Sequence, residues 1–205
     1  GNELGGLAQS VPEAVLLLSY AFDWVIVETV GVGQSEADVG DVADVVAFVV
    51  QPGSGDVLQF LKAGIMELPD VFIVNKSDLE GLAARALRDL RHALHVAGAV
   101  GTGAPEPRVV DVSALTRANV PLLFDTLRET WRAANAAGTV LRRRSKGTAA
   151  WIVRRITRDA GTSAMERAGG VKAIEARVEA ALAGGASPMD AARTARALVQ
   201  ATNHT

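Results

Sequence analysis

A polar tetrapeptide follows a short apolar run in the middle of the chain. Asn75-Lys76-Ser77-Asp78 comes directly after Val71–Val74. A carboxylate at the fourth position can accept hydrogen bonds from both N1–H and the 2-amino group of guanine, whereas adenine would leave it unpaired. The alkyl stem of Lys76 can cover the base plane, and Asn75 can tie the loop to its neighbours. The tetrapeptide predicts a guanine-reading loop; the alternative is a polar turn in which Asp78 caps a helix.

A second short pattern lies at the end of the next apolar run. Asp111-Val112-Ser113-Ala114 closes a predicted strand, and a Ser-Ala pair at this place can offer backbone N–H groups to guanine O6. Ser-Ala pairs are common, so this pattern is informative only because it follows the tetrapeptide at one strand–helix–strand interval. In that position it strengthens the guanine prediction.

An acidic residue precedes a glycine by three positions after the run Trp24–Val27. The string is Glu28-Thr29-Val30-Gly31. A carboxylate at the end of a strand can hold Mg²⁺ through water, and the glycine N–H can sense a γ-phosphate. The alternative is an ordinary strand exit with a solvated glutamate.

A glycine-rich turn follows another apolar run. Pro52-Gly53-Ser54-Gly55-Asp56 has the glycines of a tight turn, and Asp56 stands where it can cap the helix that follows. Taken by itself, the turn indicates nothing beyond a helix cap.

These patterns require a scaffold in which short apolar strands alternate with helices. Nearly uniform β-branched runs are typical of parallel strands buried on both faces. The alternation predicts an α/β fold with a mostly parallel sheet flanked by helices. The predicted strands are Trp24–Glu28, Val45–Val50, Val71–Val74 and Arg108–Val112, and the predicted helices are Pro12–Tyr20, Val57–Glu67, Leu79–Val96 and Val120–Ala137.

The composition changes after about Gly138, where strand patterns end and helical ones continue. The basic stretch Leu141–Lys146 is either solvated or a contact for acidic groups of a partner. The apolar residues of this region must be buried, and we expect them to pack against the α/β domain or a second subunit. The predicted helices are Thr148–Asp159, Val171–Leu182 and Pro188–Gln200, and the apolar positions of this region include Trp151, Ile152, Ile156, Met165, Val171, Ile174, Val178, Leu182 and Leu198.

Composition excludes several classes of protein. Of 205 residues, 49% are hydrophobic, which is enough for a core and excludes a disordered chain. A net charge of −2 argues against a nucleic-acid partner, and the absence of cysteine excludes a disulfide scaffold and a thiolate site. No apolar run approaches the roughly 20 residues of a membrane span, and no secretory signal opens the chain. We therefore expect a cytoplasmic protein without a membrane partner.

The strings together resemble the MeaB/ArgK GTPases. The resemblance covers about residues 4–135 and implies a P-loop-NTPase-like fold. It implies that residues 1–138 form the C-terminal part of a G domain and that residues 139–205 form a helical dimerisation extension. The strings are Leu4–Ala8, Val27–Glu36, Pro52–Asp56 with Gln59, Lys62, Gly64, Ile65 and Glu67, and Val74–Asp78.

The resemblance also implies roles for single residues. Glu28 would be the Walker B acid near Mg²⁺, and Gly31 would be the γ-phosphate sensor. The residues that would read guanine or close over the base are Asn75, Lys76, Asp78, Ser113 and Ala114.

Members of this family are chaperones of the adenosylcobalamin-dependent methylmalonyl-CoA mutase. The resemblance implies GTP or GDP and Mg²⁺ as ligands, a homodimer formed through the helical C-terminal region, and such a mutase as partner. Its hydrolysis of GTP would gate cofactor loading. Gly53–Lys62 would be the third switch, in which Asp56 and Lys62 couple the nucleotide state to the mutase.

One element of the family is missing from the sequence. No string matches G-x-x-x-x-G-K-[ST], the loop that cradles the β- and γ-phosphates. We therefore expect the chain to be the C-terminal part of a longer protein that carries the base-reading half of a GTPase site. The alternatives are a scaffold that does not hydrolyse GTP and a related metallochaperone, against which the lack of cysteine and the scarcity of histidine argue.

Overall fold

A computed structural model describes residues 11–29, 39–53, 69–100 and 107–201 of the chain. These residues divide into two compact units: the sheet unit, residues 45–136, and the helical unit, residues 1–44 and 137–205. In chain order the elements are α1 (Val11–Leu18), β1 (Ala47–Val50), β2 (Val71–Val74), α2 (Glu80–Val100), β3 (Arg108–Asp111), α3 (Val120–Ala136), α4 (Thr139–Ala160), α5 (Thr162–Arg167), α6 (Val171–Ala183) and α7 (Pro188–Ala201).

The sheet unit is built on a parallel sheet in the order β1-β2-β3. Phe72 lies between Phe48 and Val109 in the register, and the rings of Phe48 and Phe72 meet edge to face with centroids 5.9 Å apart. All four residues of the central strand β2 are buried. A central parallel strand covered on both faces requires such a continuous apolar sequence.

Helices cover both faces of this sheet. On one face, Phe72 and Val74 pack with Leu90 and Leu94 of α2. The opposite face, which includes Ile73, packs with Leu123 and Leu127 of α3. Burying an apolar side chain of this size contributes roughly 1.5–3 kcal/mol, so the two layers fix the strand ends that carry the polar loops. The predicted α/β fold is confirmed.

The strand predictions differ in their outcomes. Val71–Val74 is a strand as predicted, and the flanking strands are slightly shorter than predicted, at Ala47–Val50 and Arg108–Asp111. The prediction of a strand at Trp24–Glu28 is wrong, because these residues have no β structure and the side chain of Ile26 is 84% exposed. An apolar run favours burial, but a strand also needs a neighbouring strand that accepts and donates its backbone hydrogen bonds.

The predicted helices of the sheet unit are present with shifted ends. α2 begins one residue later than predicted and continues to Val100, and α3 ends at Ala136. The helix predicted at Val57–Glu67 lies outside the described residues.

The helical unit buries its own apolar residues. Helices α4 to α7 pack around a core centred on Ile152, Met165, Ile174 and Val199, each at most 1% exposed. The expectation that Ile152, Met165 and Ile174 are buried against the α/β domain or a second subunit is wrong, because the helices pack against one another. Val171, also expected to be buried, is 38% exposed. The other buried members of this core are Ala149, Val153, Ile156, Ala164, Val178, Leu182, Ala191 and Ala195.

Helix boundaries in this unit also differ from the predictions. α4 begins at Thr139 and not at Thr148, so the basic stretch lies within a helix. The short helix α5 was not predicted. Ser187 caps α7, since its hydroxyl oxygen accepts the N–H of Asp190 at 3.1 Å. Within the described part of the chain, no helix is long and apolar enough to cross a membrane.

Candidate functional site

Two loops run side by side at the carboxyl edge of the sheet: the β2 loop, residues 75–79, and the β3 loop, residues 113–119. The register pairs Val74 with Asp111, so β2 and β3 end level with each other. Beyond the strands, Val112 N donates to Val74 O at 2.8 Å and Ser77 N donates to Val112 O at 2.9 Å. This continued pairing brings the tetrapeptide and the Ser-Ala pair together.

A buried hydroxyl holds the carboxylate of the tetrapeptide. Ser113 is fully buried, and its Oγ donates to Asp78 Oδ1 at 2.5 Å while it accepts the N–H of Thr116 at 3.1 Å. Because the Thr116 N–H occupies a lone pair of Ser113 Oγ, the hydroxyl proton is directed to Asp78. A carboxylate offers about four acceptor positions, so Asp78, which is exposed, retains capacity for further donors.

The side chain of Asn75 joins the two loops. Its Oδ1 accepts the N–H of Lys76 at 2.8 Å and the N–H of Ala114 at 3.1 Å. The expected tie between loops is therefore present. Ser113 N also donates within the protein, to Ala118 O at 3.1 Å. Both N–H groups of the Ser-Ala pair thus have acceptors in this structure, and their contact to guanine O6 stays a prediction.

Lys76 connects the β2 loop to the end of β1. Its Nζ donates to Gln51 Oε1 at 2.8 Å, and Gln51 directly follows β1. The backbone of Lys76 is left-handed, with φ 59°, a conformation that ordinary L residues rarely adopt. Side chains from the ends of all three described strands therefore meet in one polar network.

Sequence reasoning missed three members of this network: Gln51, Thr116 and Asn119. The position of Gln51, a polar residue directly after a buried strand, is a signal that could have found it. Thr116 acts through its backbone N–H, which no side-chain pattern reveals. Asn119 Nδ2 donates to Asp111 O at 3.1 Å, a contact that depends on the path of the loop.

Of the residues predicted for the phosphate half of a site and its switch, the structure describes only Glu28. Glu28 belongs to the helical unit, where its side chain is exposed. Gly31, Asp56 and Lys62 lie outside the described residues. Among the residues that the structure describes, no group of three or more His, Asp or Glu side chains could hold a metal ion. The role of Glu28 near Mg²⁺ stays a prediction.

The basic stretch of α4 contacts a segment of its own chain. Arg144 Nε and Nη2 donate to the two carboxylate oxygens of Asp44 at 2.7 and 2.5 Å, and Arg143 Nη1 donates to Asp44 O at 2.8 Å. The hydrogen bond to Asp44 raises the pKa of Arg144, although partial burial opposes it. A Cβ on Gly147 would stand 1.6 Å from Asp41 O, so α4 and this segment are in close backbone contact. Arg142 also donates, to Ala137 O and Thr139 Oγ1, so all three arginines have acceptors within the chain.

Comparison with known families decides the affiliation of the chain. Residues 1–169 match the family model described as "Methylmalonyl Co-A mutase-associated GTPase MeaB". The chain belongs to the MeaB family. The predicted resemblance is confirmed, and the β2 loop, the β3 loop and all of α4 lie within the matched residues of this MeaB chain.

Individual relatives agree with this affiliation. A protein of Caulobacter vibrioides named "Putative GTPase" is 37% identical over 196 residues, which are 94% of this chain and 59% of that protein. A Caenorhabditis briggsae protein named "Methylmalonic aciduria type A homolog, mitochondrial" is 35% identical over 161 residues, 74% of this chain and 37% of its own length.

The fold also matches a solved structure. A crystal structure named "LAO/AO transport system kinase" superposes with a TM-score of 0.60 at 25% identity, covering 94% of this chain and 62% of that one. The chain therefore spans about three fifths of the length of the Caulobacter relative and of this structural neighbour.

Proposed function

We propose that this chain supplies the guanine-reading part of a GTPase that serves a cobalamin-dependent acyl-CoA mutase such as methylmalonyl-CoA mutase. Hydrolysis of GTP would gate the loading of adenosylcobalamin into the mutase and protect it. The observation that carries the proposal is the exposed carboxylate of Asp78, held by the buried hydroxyl of Ser113 in a chain of the MeaB family.

Asp78 can discriminate guanine from other bases. Its carboxylate has acceptor capacity for both N1–H and the 2-amino group, and the bond from Ser113 fixes its orientation. Two charge-assisted hydrogen bonds to a base contribute roughly 2–3 kcal/mol. The stem of Lys76, held at its end by Gln51, would cover one face of the base.

The phosphate half of the site is proposed on the resemblance. Glu28 would act as the Walker B acid near Mg²⁺, and Gly31 as the γ-phosphate sensor. Asp56 and Lys62 would couple the third switch to the mutase. Because the sequence has no P-loop string, we expect the 205-residue chain alone to hydrolyse GTP negligibly, which a phosphate-release assay measures.

The partner proposals rest on the family. The family description refers to a mutase and the name of the Caenorhabditis briggsae relative refers to methylmalonic aciduria, and we propose an acyl-CoA mutase as the partner. A homodimer through the helical C-terminal region would have to use residues that the helical core leaves exposed: Leu141, Val171 and Met189. The cytoplasm stays the predicted compartment.

A second candidate function is a scaffold that docks the mutase without hydrolysing GTP. The self-contained core of the helical unit favours it, because that unit buries its apolar residues among its own helices. If the chain shows no preference for GMP over AMP, this candidate is favoured.

A titration with nucleoside monophosphates tests the proposal without the phosphate half. The ¹⁵N-labelled chain is titrated with GMP and, as the matched control, with AMP, while the backbone amide signals of Lys76, Ser113 and Ala114 are followed. We expect saturable shifts at these amides with GMP and at least about tenfold weaker effects with AMP, because adenine leaves Asp78 unpaired. Equal responses to the two nucleotides would contradict the proposal.

A further inference from the structure

Left-handed backbone conformations are concentrated in the β2 and β3 loops, which together form the proposed base site. Three non-glycine residues of the described chain have a positive φ, namely Lys76 at 59°, Arg117 at 63° and Asn119 at 58°. All three lie in or at the end of the β2 and β3 loops. Such conformations are strained for L residues and persist only where surrounding contacts hold them. The β3 loop, with two of them, must therefore be fastened by its own contacts.

Asn119 provides the contacts that fasten the far end of the β3 loop. Its side-chain Nδ2 donates to Asp111 O at 3.1 Å and to Asp111 Oδ2 at 3.3 Å, while its main-chain carbonyl oxygen accepts the N–H of Leu123 at 3.0 Å in the first turn of α3. Asparagine tolerates left-handed backbone better than most residues. The side chain of Asn119 thus joins the end of the β3 loop to the last residue of β3, and its main chain joins the loop to the start of α3.

The fastened loop closes on Ser113. Ser113 N donates to Ala118 O, the residue before Asn119, and Ser113 Oγ accepts the N–H of Thr116. The same Oγ donates to Asp78. A shift of the loop at Asn119 would move the carbonyl of Ala118 and, through it, the hydroxyl that orients the carboxylate.

We propose that Asn119 is a positioning residue of the base site, whose carboxamide fastens the β3 loop so that Ser113 holds Asp78 in the orientation that accepts guanine. This proposal deepens the proposed function and rests on it. Asn119 acts through Ser113 and does not itself contact the base.

Asn119→Gly separates this role from a merely structural one. Glycine adopts a positive φ without strain, so the variant loses the carboxamide but not the backbone conformation. We expect the affinity for GMP to fall by about tenfold, as for a displaced charge-assisted hydrogen bond, while Tm stays equal or rises. A purely structural residue would show affinity and Tm falling together.

Exchanging the side chains of Asn119 and Asp111 tests their contact directly, and Arg108→Ala serves as a matched control. Asn119→Asp places two carboxylates against each other, and Asp111→Asn in the same chain restores one side-chain hydrogen bond. We expect the double variant to bind GMP more tightly than Asn119→Asp alone. Arg108→Ala removes an exposed ion pair with Glu129 between the same strand and helix, at 2.7 Å, and should leave GMP affinity unchanged.

The outcomes distinguish this inference from the proposed function. If Asn119→Gly binds GMP within twofold of the unmodified chain while Asp78→Asn has lost binding, the positioning role is wrong and base reading stands. If the unmodified chain does not prefer GMP to AMP, the proposed function fails and the positioning role fails with it. If the unmodified chain prefers GMP to AMP, and Asn119→Gly loses GMP affinity without a loss of Tm, both the proposed function and the positioning role are supported.

Discussion

The sheet unit and the helical unit use polar side chains in different ways. In the sheet unit, polar groups collect at the carboxyl edge of an apolar sandwich, where Ser113, Asp78 and Asn75 bond to one another. In the helical unit, the main core is apolar throughout, and the polar contacts lie around it, as between Arg144 and Asp44. The network at the sheet edge leaves the carboxylate of Asp78 exposed and able to bind a ligand, whereas the core of the helices contains apolar side chains only.

Because of this difference, we expect the apolar core to determine mainly stability and the polar network to determine mainly binding. Apolar burial is the dominant favourable contribution to folding, whereas a network of hydrogen bonds contributes little net stability and much geometric definition. Substitutions in the helical core should therefore reduce the free energy of unfolding most. Substitutions in the edge network should change base affinity more than their effect on stability suggests.

The largest effect is expected in the core of the helical unit. Ile174 is fully buried, and Ile174→Ala should lower the free energy of unfolding by about 2–5 kcal/mol, because it leaves a cavity. Urea denaturation followed by circular dichroism measures this. Ile174→Val, the matched control, should cost about 0.5–1.5 kcal/mol. A cost below that of the control for Ile174→Ala would show that the helical core is not the main source of stability.

A smaller stability effect with a larger binding effect is expected at Ser113. Ser113→Ala leaves the N–H of Thr116 without its acceptor and frees Asp78, at a cost of about 1–3 kcal/mol in the free energy of unfolding. GMP affinity should fall by about tenfold because the carboxylate loses its fixed orientation. Ser19→Ala, which removes an exposed hydroxyl bonded to Leu16 O, is the control and should change neither quantity. Unchanged GMP affinity in Ser113→Ala would show that the Ser113 hydroxyl does not contribute to binding of the base.

The smallest effect is a gain of stability in the β3 loop. Arg117 has φ 63°, and Arg117→Gly should raise the free energy of unfolding by about 0.5–1 kcal/mol, since relief of left-handed strain exceeds the added chain entropy of glycine. Arg117→Ala keeps the strain and should bring no gain. Thermal denaturation of the two variants side by side measures the difference. A gain of equal size in both would mean that the strain at this position is negligible.

Local sequence predicted the parts of the fold that depend on local pattern. Val71–Val74 is apolar throughout and is a central buried strand, and Ser187 before Pro188 begins a helix. Trp24–Glu28 carries a similar pattern but no strand, because pairing depends on a neighbour that the run itself does not encode. The core of the helical unit could not be assigned from the sequence, because periodicity shows that a helix face is buried but not what covers it.

The candidate site could be predicted where motif residues contact each other directly. The tie between Asn75 and the Ser-Ala loop follows from the two motifs. The positive φ of Arg117 and Asn119 could not be read from the sequence, because glycine is the usual signal for such positions. The contact of Asn119 with Asp111 depends on the path of the loop, which tertiary packing sets.

The central claim is that Asp78 reads guanine, and Asp78→Asn tests it most directly. The unmodified chain and the variant are titrated with GMP and with XMP, and the amide shifts of the two loops give the four affinities. An amide in place of the carboxylate loses the acceptor for the 2-amino group of guanine and gains a donor for the 2-oxo group of xanthine. We expect GMP affinity to fall by about one to two decades and the preference to shift towards XMP. Unchanged GMP affinity in Asp78→Asn would contradict the assignment of this loop as the guanine-reading element.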